Sequence, residues 1–256
     1  MATFRFFVDC CYSILRLVSV VLSCFIIYTI LFAINSFCLL GKQNAHRIIL
    51  FRQPEIFLIM TTLPHNILPF VHFLLSQHLK TGDCVADCTA GNGNDTLFLA
   101  QSVGKKGQVW AFDIQEIALQ NTFQRLSDAG FSESVQLILD GHQNIDQHIH
   151  KPLDAVMFNL GYLPQGDKSC TTNADNTIIA LKKSLELLQR NGILSVVLYG
   201  GHETGFIERM AVEQFSNSIK QQSVDVLRYQ FANRPKTAPY ALIFRKITDD
   251  IIFQAT

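Results

Sequence analysis

The chain has 256 residues, with 21 Lys and Arg set against 21 Asp and Glu, and 48% of it is hydrophobic. Zero net charge offers no bulk attraction to nucleic acid, so any RNA contact has to come from a local patch. Seven cysteines include no C-x-x-C pair, which excludes a zinc ribbon and a dithiol redox motif.

The hydrophobic excess sits at the N-terminus. Ile14 to Leu40 is a run of about 27 residues with one charge, Arg16. It is long enough to span a bilayer and too long for a secretory h-region, and no A-x-A-like site follows it. Positive charge is denser after the run (Lys42, Arg47, Arg52) than before it (Arg5 and Arg16, with Asp9), which leaves the following domain in the cytoplasm. A membrane anchor is one reading. In the other, translation starts at Met60, and residues 1–59 are upstream sequence without a native role. Both leave a cytoplasmic domain over 60–256. Cys10, Cys11, Cys24 and Cys38 lie in or near the run, while Cys84, Cys88 and Cys170 lie beyond it. All seven read as reduced thiols.

Beyond the run, periodicity alternates between helix and strand. Leu68, Val71, Leu74, Leu75 and Leu79 predict a helix over His65 to Leu79, stopped by Thr81-Gly82. Strand one is Cys84 to Asp87, and a helix follows from Asn94 to Val103. Strand two is Gln108 to Asp113, then a helix from Gln115 to Ala129. Strand three is Val135 to Leu139. Strand four, Leu153 to Phe158, is almost continuously apolar, as a parallel strand covered on both faces should be. A helix from Asp175 to Gln189 leads into strand five, Ile193 to Tyr199. A last helix, Thr204 to Ile219, precedes two strands, Ser223 to Phe231 and Tyr240 to Lys246. This alternation predicts a doubly wound α/β sheet of seven strands. The connection between the last two strands is too short for a helical crossover, so that pair should be antiparallel. One reversed strand on an otherwise parallel sheet is the Rossmann-like arrangement of class I methyltransferases.

Ligands of such sheets lie outside the carboxyl ends of the strands. Strand one ends in Asp87-Cys88-Thr89-Ala90-Gly91-Asn92-Gly93-Asn94-Asp95-Thr96, and strand two ends on Asp113, 22 residues past Gly91. A glycine turn lets backbone approach a ligand, and an acid about 20 residues on takes ribose hydroxyls. The third glycine of the dinucleotide fingerprint is missing here, and Asp87 and Asp95 flank the turn. Two carboxylates repel a pyrophosphate but suit S-adenosylmethionine, which carries an ammonium, a carboxylate and a sulfonium. Asp87 can pair with the ammonium, while amides from Gly91 to Asn94 face the carboxylate. Thr89, Thr96 and Gln115 belong to the same two turns. The bland alternative for Asp95 is a helix cap. Ile114 is placed to pack on adenine. Asp140, after strand three, can accept from the 6-amino group, and His142 either stacks on the ring or faces solvent.

Strand four runs into Asn159-Leu160-Gly161-Tyr162-Leu163-Pro164-Gln165-Gly166-Asp167-Lys168. Asn159 to Tyr162 looks like a variant of the Asn/Asp-Pro-Pro-Tyr/Phe motif of amine methyltransferases, with its Pro-Pro replaced. The alternative is a plain turn with Tyr162 in the core. Together with 87–100, Ala-Phe-Asp-Ile-Gln (111–115) and Tyr-Gly-Gly-His (199–202), this stretch resembles the putative rRNA methylase family, whose characterised members are tRNA 5-(aminomethyl)-2-thiouridine methyltransferases. The resemblance covers residues 60–247. It implies methyl transfer from S-adenosylmethionine to the exocyclic amine of a modified wobble uridine in tRNA. Asn159 and the Leu160 carbonyl would then orient the amine, with Tyr162 as a wall. Asp167 and His202 are the candidate proton acceptors.

Phosphate contacts could come from Lys168, Lys182-Lys183, Arg190 or Arg234-Pro235-Lys236, each of which could equally be a solvated face. Rival functions are a small-molecule or protein amine methyltransferase, and a non-catalytic, membrane-tethered cofactor-binding module. No metal-ligand spacing is present. The oligomeric state is open, and a homo-oligomer is compatible with the chain.

Overall fold

The computed structural model describes residues 66–161, 173–201 and 203–253. The hydrophobic N-terminal extension, Tyr162, Asp167, Lys168 and His202 lie outside them. Among the described residues no helix is long and apolar enough to cross a membrane.

Seven strands form one sheet in the order β3-β2-β1-β4-β5-β7-β6. They are β1 (Cys84–Asp87), β2 (Gln108–Asp113), β3 (Val135–Leu139), β4 (Leu153–Asn159), β5 (Leu188–Leu198), β6 (Val224–Tyr229) and β7 (Tyr240–Lys246). β7 is antiparallel to both its neighbours, β5 and β6, and the other pairings are parallel. The expected seven-stranded sheet with one reversed strand is therefore present.

Side-chain alternation along the strands makes two cores. On one face Val85, Val109, Ala155 and Met157 pack under α1 (Ile67–His78), α2 (Asn94–Val103) and α3 (Glu116–Ala129). On the other, Ala86, Phe112, Val156 and Phe158 meet the short α4 (Ile145–His148), then α5 (Ala174–Leu187) and α6 (Glu203–Ser218). The described helices thus cover both faces, and the carboxyl ends of β1, β2 and β4 converge at one edge of the sheet.

β5 departs from expectation at its start. The sequence places helix up to Gln189 and strand from Ile193, but α5 ends at Leu187 and β5 begins immediately, with Leu188 paired to Leu153. The register then shifts before Ile193 pairs with Ala155, and Asn191 takes a φ of 66° within that irregularity. The buried Lys246 explains the early stop: its Nζ donates to the carbonyls of Glu186 and Leu188, at 3.0 and 2.7 Å, closing the helix end from β7.

Candidate active site

The glycine turn is held from three sides. Gly91 N–H donates to Asp113 Oδ2 on β2 at 2.9 Å. Helix α3 supplies the second side: Thr122 Oγ1 donates to Gly91 O at 3.0 Å, Asn121 to Asn92 Oδ1 at 3.0 Å, and Arg125 Nε to Asn92 O at 2.7 Å. On the third side, the backbone N–H of Asn159 on β4 donates to Thr89 Oγ1 at 2.8 Å. Gly93 has a φ of 77°, and a Cβ there would come within 2.8 Å of the Thr122 backbone, so no larger residue fits.

Asp87 lies beneath this turn, not in it. It is fully buried, and its two oxygens accept from Thr89 N–H at 3.0 Å and from Thr96 Oγ1 at 2.6 Å. Burial, and then the nearby Asp95 charge, pushes its carboxyl up to about 7. The protonated form is thus favoured on folding. The stabilisation is fullest below the ordinary aspartate range, near ~3.9, and is lost as pH rises through about 7. Asp87→Asn keeps a neutral side chain at every pH. Its melting temperature relative to the parent should therefore improve steadily from pH 5 to pH 8, as thermal unfolding at both pH values would read. A constant offset would mean that Asp87 does not titrate in that window.

At the β2 end, Asp113 is half-buried, with Oδ1 accepting from Gln115 N–H at 2.9 Å. Ile114 is 58% exposed beside it and presents an apolar side chain to the cleft. After β3, Asp140 accepts from His148 Nε2 at 2.8 Å, Asn144 Nδ2 at 2.9 Å and Gly141 N–H at 2.7 Å. The His148 and Asn144 bonds hold its carboxyl below the usual range. His142 does not face solvent. Its ring is buried, with Nδ1 against Cys88 O at 3.2 Å and its edge on Phe158, and desolvation lowers its pKa.

At the β4 end, Asn159 Nδ2 donates to Asp95 Oδ2 at 3.0 Å, while Asn159 Oδ1 is buried without a hydrogen-bond partner among the described residues. Asp95 is not a helix cap. The cap position belongs to Gly93, and the other Asp95 oxygen contacts His72 Nε2 at 2.7 Å. Tyr199, at the end of β5, also feels Asp95; burial and that charge raise its pKa.

These ends surround a cleft of about 260 Å3. Thr89, Gly91, Asn92, Asn94, Asp95, Asp113, Ile114, Gln115, Asp140, His142 and Asn159 line it; Asp87, Gly93 and Thr96 support it from behind. Of the residues that sequence reasoning did not single out, Asn173 and Asn176, at the start of α5, also line it, and His72, Thr122 and Arg125 hold its walls. Among the described residues, the lining carries three carboxylates and no lysine or arginine. Such a wall repels a pyrophosphate and suits a cationic adenosyl ligand, with the apolar Ile114 beside the Asp113 carboxylate. S-adenosylmethionine fits these residues.

The expected phosphate contacts are mostly engaged elsewhere. Lys183 is tied to Gln143 O and Asp146, and Arg190 donates to Ile247 O at the far end of β5. Arg234, in the β6–β7 connection, lies over the Phe231 ring at 3.8 Å. That connection meets the sheet beside the carboxyl end of β5.

Residues 109–245 match the family described as putative rRNA methylase. A chloroplastic tRNA (mnm(5)s(2)U34)-methyltransferase of Arabidopsis thaliana is 36% identical over 185 residues, 68% of each chain. A crystal structure of a putative rRNA methylase from Clostridium thermocellum is 45% identical, covers 73% of this chain and 100% of its own, and superposes with a TM-score of 0.71. A putative methyltransferase from Streptococcus mutans, solved in complex with SAH, is 38% identical over 72% of this chain and 100% of its own, with a TM-score of 0.66. The chain belongs to the putative rRNA methylase family and is an S-adenosylmethionine-dependent methyltransferase.

Proposed function

We propose that this enzyme methylates the exocyclic amine of an aminomethyl-modified wobble uridine in tRNA. The observation that carries the reading is the buried Asn159 Oδ1 at the end of β4, unpaired among the described residues. An acceptor left without a protein partner costs free energy unless a ligand satisfies it, and an amine N–H is a matching donor. The Arabidopsis relative, named for such a nucleoside, supports the choice of substrate.

S-adenosylmethionine supplies, when bound, an electrophilic sulfonium methyl. Asp113 takes its ribose hydroxyls and Ile114 packs on its adenine, with Gln115, Asp140 and His142 closing that end. Gly91 and Gly93 spend their amides inside the protein, on Asp113 and Ala90 O, which leaves those of Asn92 and Asn94 for the cofactor carboxylate. Asp95 lines the cleft and meets the ammonium directly. Asp87 supports the turn from below through Thr89 and Thr96. Asn159 Oδ1 and the Leu160 carbonyl aim the amine lone pair; alignment and exclusion of water then supply much of the rate. Tyr162 walls the amine, and Asp167 receives the proton that a primary alkylamine must shed. The RNA backbone meets Arg234 and Lys236, and the Arg234 guanidinium stacked on Phe231 offers a plane for an unpaired base.

The test is incubation of the full chain with methyl-labelled S-adenosylmethionine and tRNA bearing the unmethylated aminomethyl nucleoside, followed by nucleoside mass spectrometry. Label should enter that nucleoside alone, and the Arg234→Glu, Lys236→Glu double variant should raise KM for tRNA about tenfold. Label in free amines or protein, with none in tRNA, would replace this reading with one of its rivals.

A further inference from the structure

We propose that His72 is a positioning residue for methyl transfer: through Asp95 it locks the Asn159 amide with its carbonyl oxygen turned toward the substrate amine. This rests on the role given above to Asn159.

Three elements far apart in sequence meet here. Helix α1 buries Val71 and Leu75 completely, which leaves His72 at the rim of the core. Its ring stacks on Phe98 of α2 at a centroid distance of 4.0 Å and an interplanar angle of 8°, so its plane is fixed. In that orientation Nε2 stands 2.7 Å from Asp95 Oδ1. An ionised carboxylate only accepts, so Nε2 is the donor. The Asp95 side chain is 8% exposed and its second oxygen is 3.0 Å from Asn159 Nδ2.

The consequence falls on Asn159. A primary amide can rotate by half a turn, exchanging its donor and acceptor ends. Turned one way, Asn159 offers a substrate amine an acceptor; turned the other, it offers a competing donor. Asp95 decides between them, because only the amide nitrogen can face a carboxylate. Oδ1 must then point away, and among the described residues it is buried without a partner. Asp95 can hold this amide only while its own torsion is held, and the donor that holds it is His72. A salt link made for stability alone would not need an orphaned acceptor at the end of the chain.

Two variants separate positioning from packing. His72→Phe keeps the stack on Phe98 but removes the donor; His72→Gln restores a donor at similar reach. With the tRNA substrate, His72→Phe should lower kcat about tenfold and leave KM for tRNA within about twofold, while His72→Gln recovers most of the loss. Independently of any substrate, the side-chain amide signal of Asn159, assigned in 15N spectra of the SAH complex from its absence in Asn159→Asp, should shift in His72→Phe and return in His72→Gln. An unshifted amide signal, or a glutamine variant no better than phenylalanine, would overturn the assignment. Were tRNA not methylated by the parent chain, the function proposed above would fall, while the amide signal would still decide the role of His72.

Discussion

Asn159→Ala should lower turnover by roughly 100-fold, the scale on which one preorganised polar group at a reacting centre acts. The same variant should bind SAH within about threefold of the parent. Two observations separate these effects. The bond that ties the β4 end to the glycine turn uses the Asn159 backbone N–H, donated to Thr89 Oγ1 at 2.8 Å, and alanine keeps it. What alanine removes is the side-chain amide, whose Oδ1 meets no donor among the described residues and whose Nδ2 donates to Asp95 Oδ2. Single-turnover rates and calorimetry with SAH measure the two quantities. Equal losses in both would make Asn159 part of the cofactor's cradle and leave the amine without its acceptor.

Features that depend on neighbours in sequence were legible before any coordinates. Strand periodicity marked β1, β2, β3 and β7 at their observed ends, and the glycine turn and Asp113 announced themselves by their spacing. Features that depend on a partner far along the chain were not. Asp87 looks like a ligand-facing acid until it proves to be fully buried beneath the glycine turn, behind the cleft lining. His72 sits in an apolar helix and reads as an incidental polar residue, because its partner is 23 positions away. Thr122 and Arg125 are spaced to share one face of α3, but only the fold brings that face to the glycine turn. His142 follows a strand end, where solvent is the default, yet the short 3-10 turn it begins tucks the ring against Phe158. The early start of β5 was hidden for the same reason, since Lys246, which closes α5, lies 58 residues beyond Leu188.

Asp113→Ala should weaken cofactor binding by roughly 1–3 kcal/mol, the usual worth of hydrogen bonds to a charged group. Two different losses contribute to that figure. One is direct: the carboxylate no longer accepts from the ribose. The other is indirect, because the Gly91 and Gln115 amides, each 2.9 Å from an Asp113 oxygen, lose their acceptor and the glycine turn loosens. A cycle of protein and ligand changes divides them. Against the parent, SAH lacking both ribose hydroxyls should bind more weakly than SAH, and against Asp113→Ala the two ligands should bind alike. Asp113→Asn should resemble alanine, since Gly91 and Gln115 donate to different carboxylate oxygens and the amide NH2 would face one of those donors. If instead the parent and Asp113→Ala penalise the missing hydroxyls equally, Asp113 acts only on the turn, and the ribose must be read by another group in the cleft.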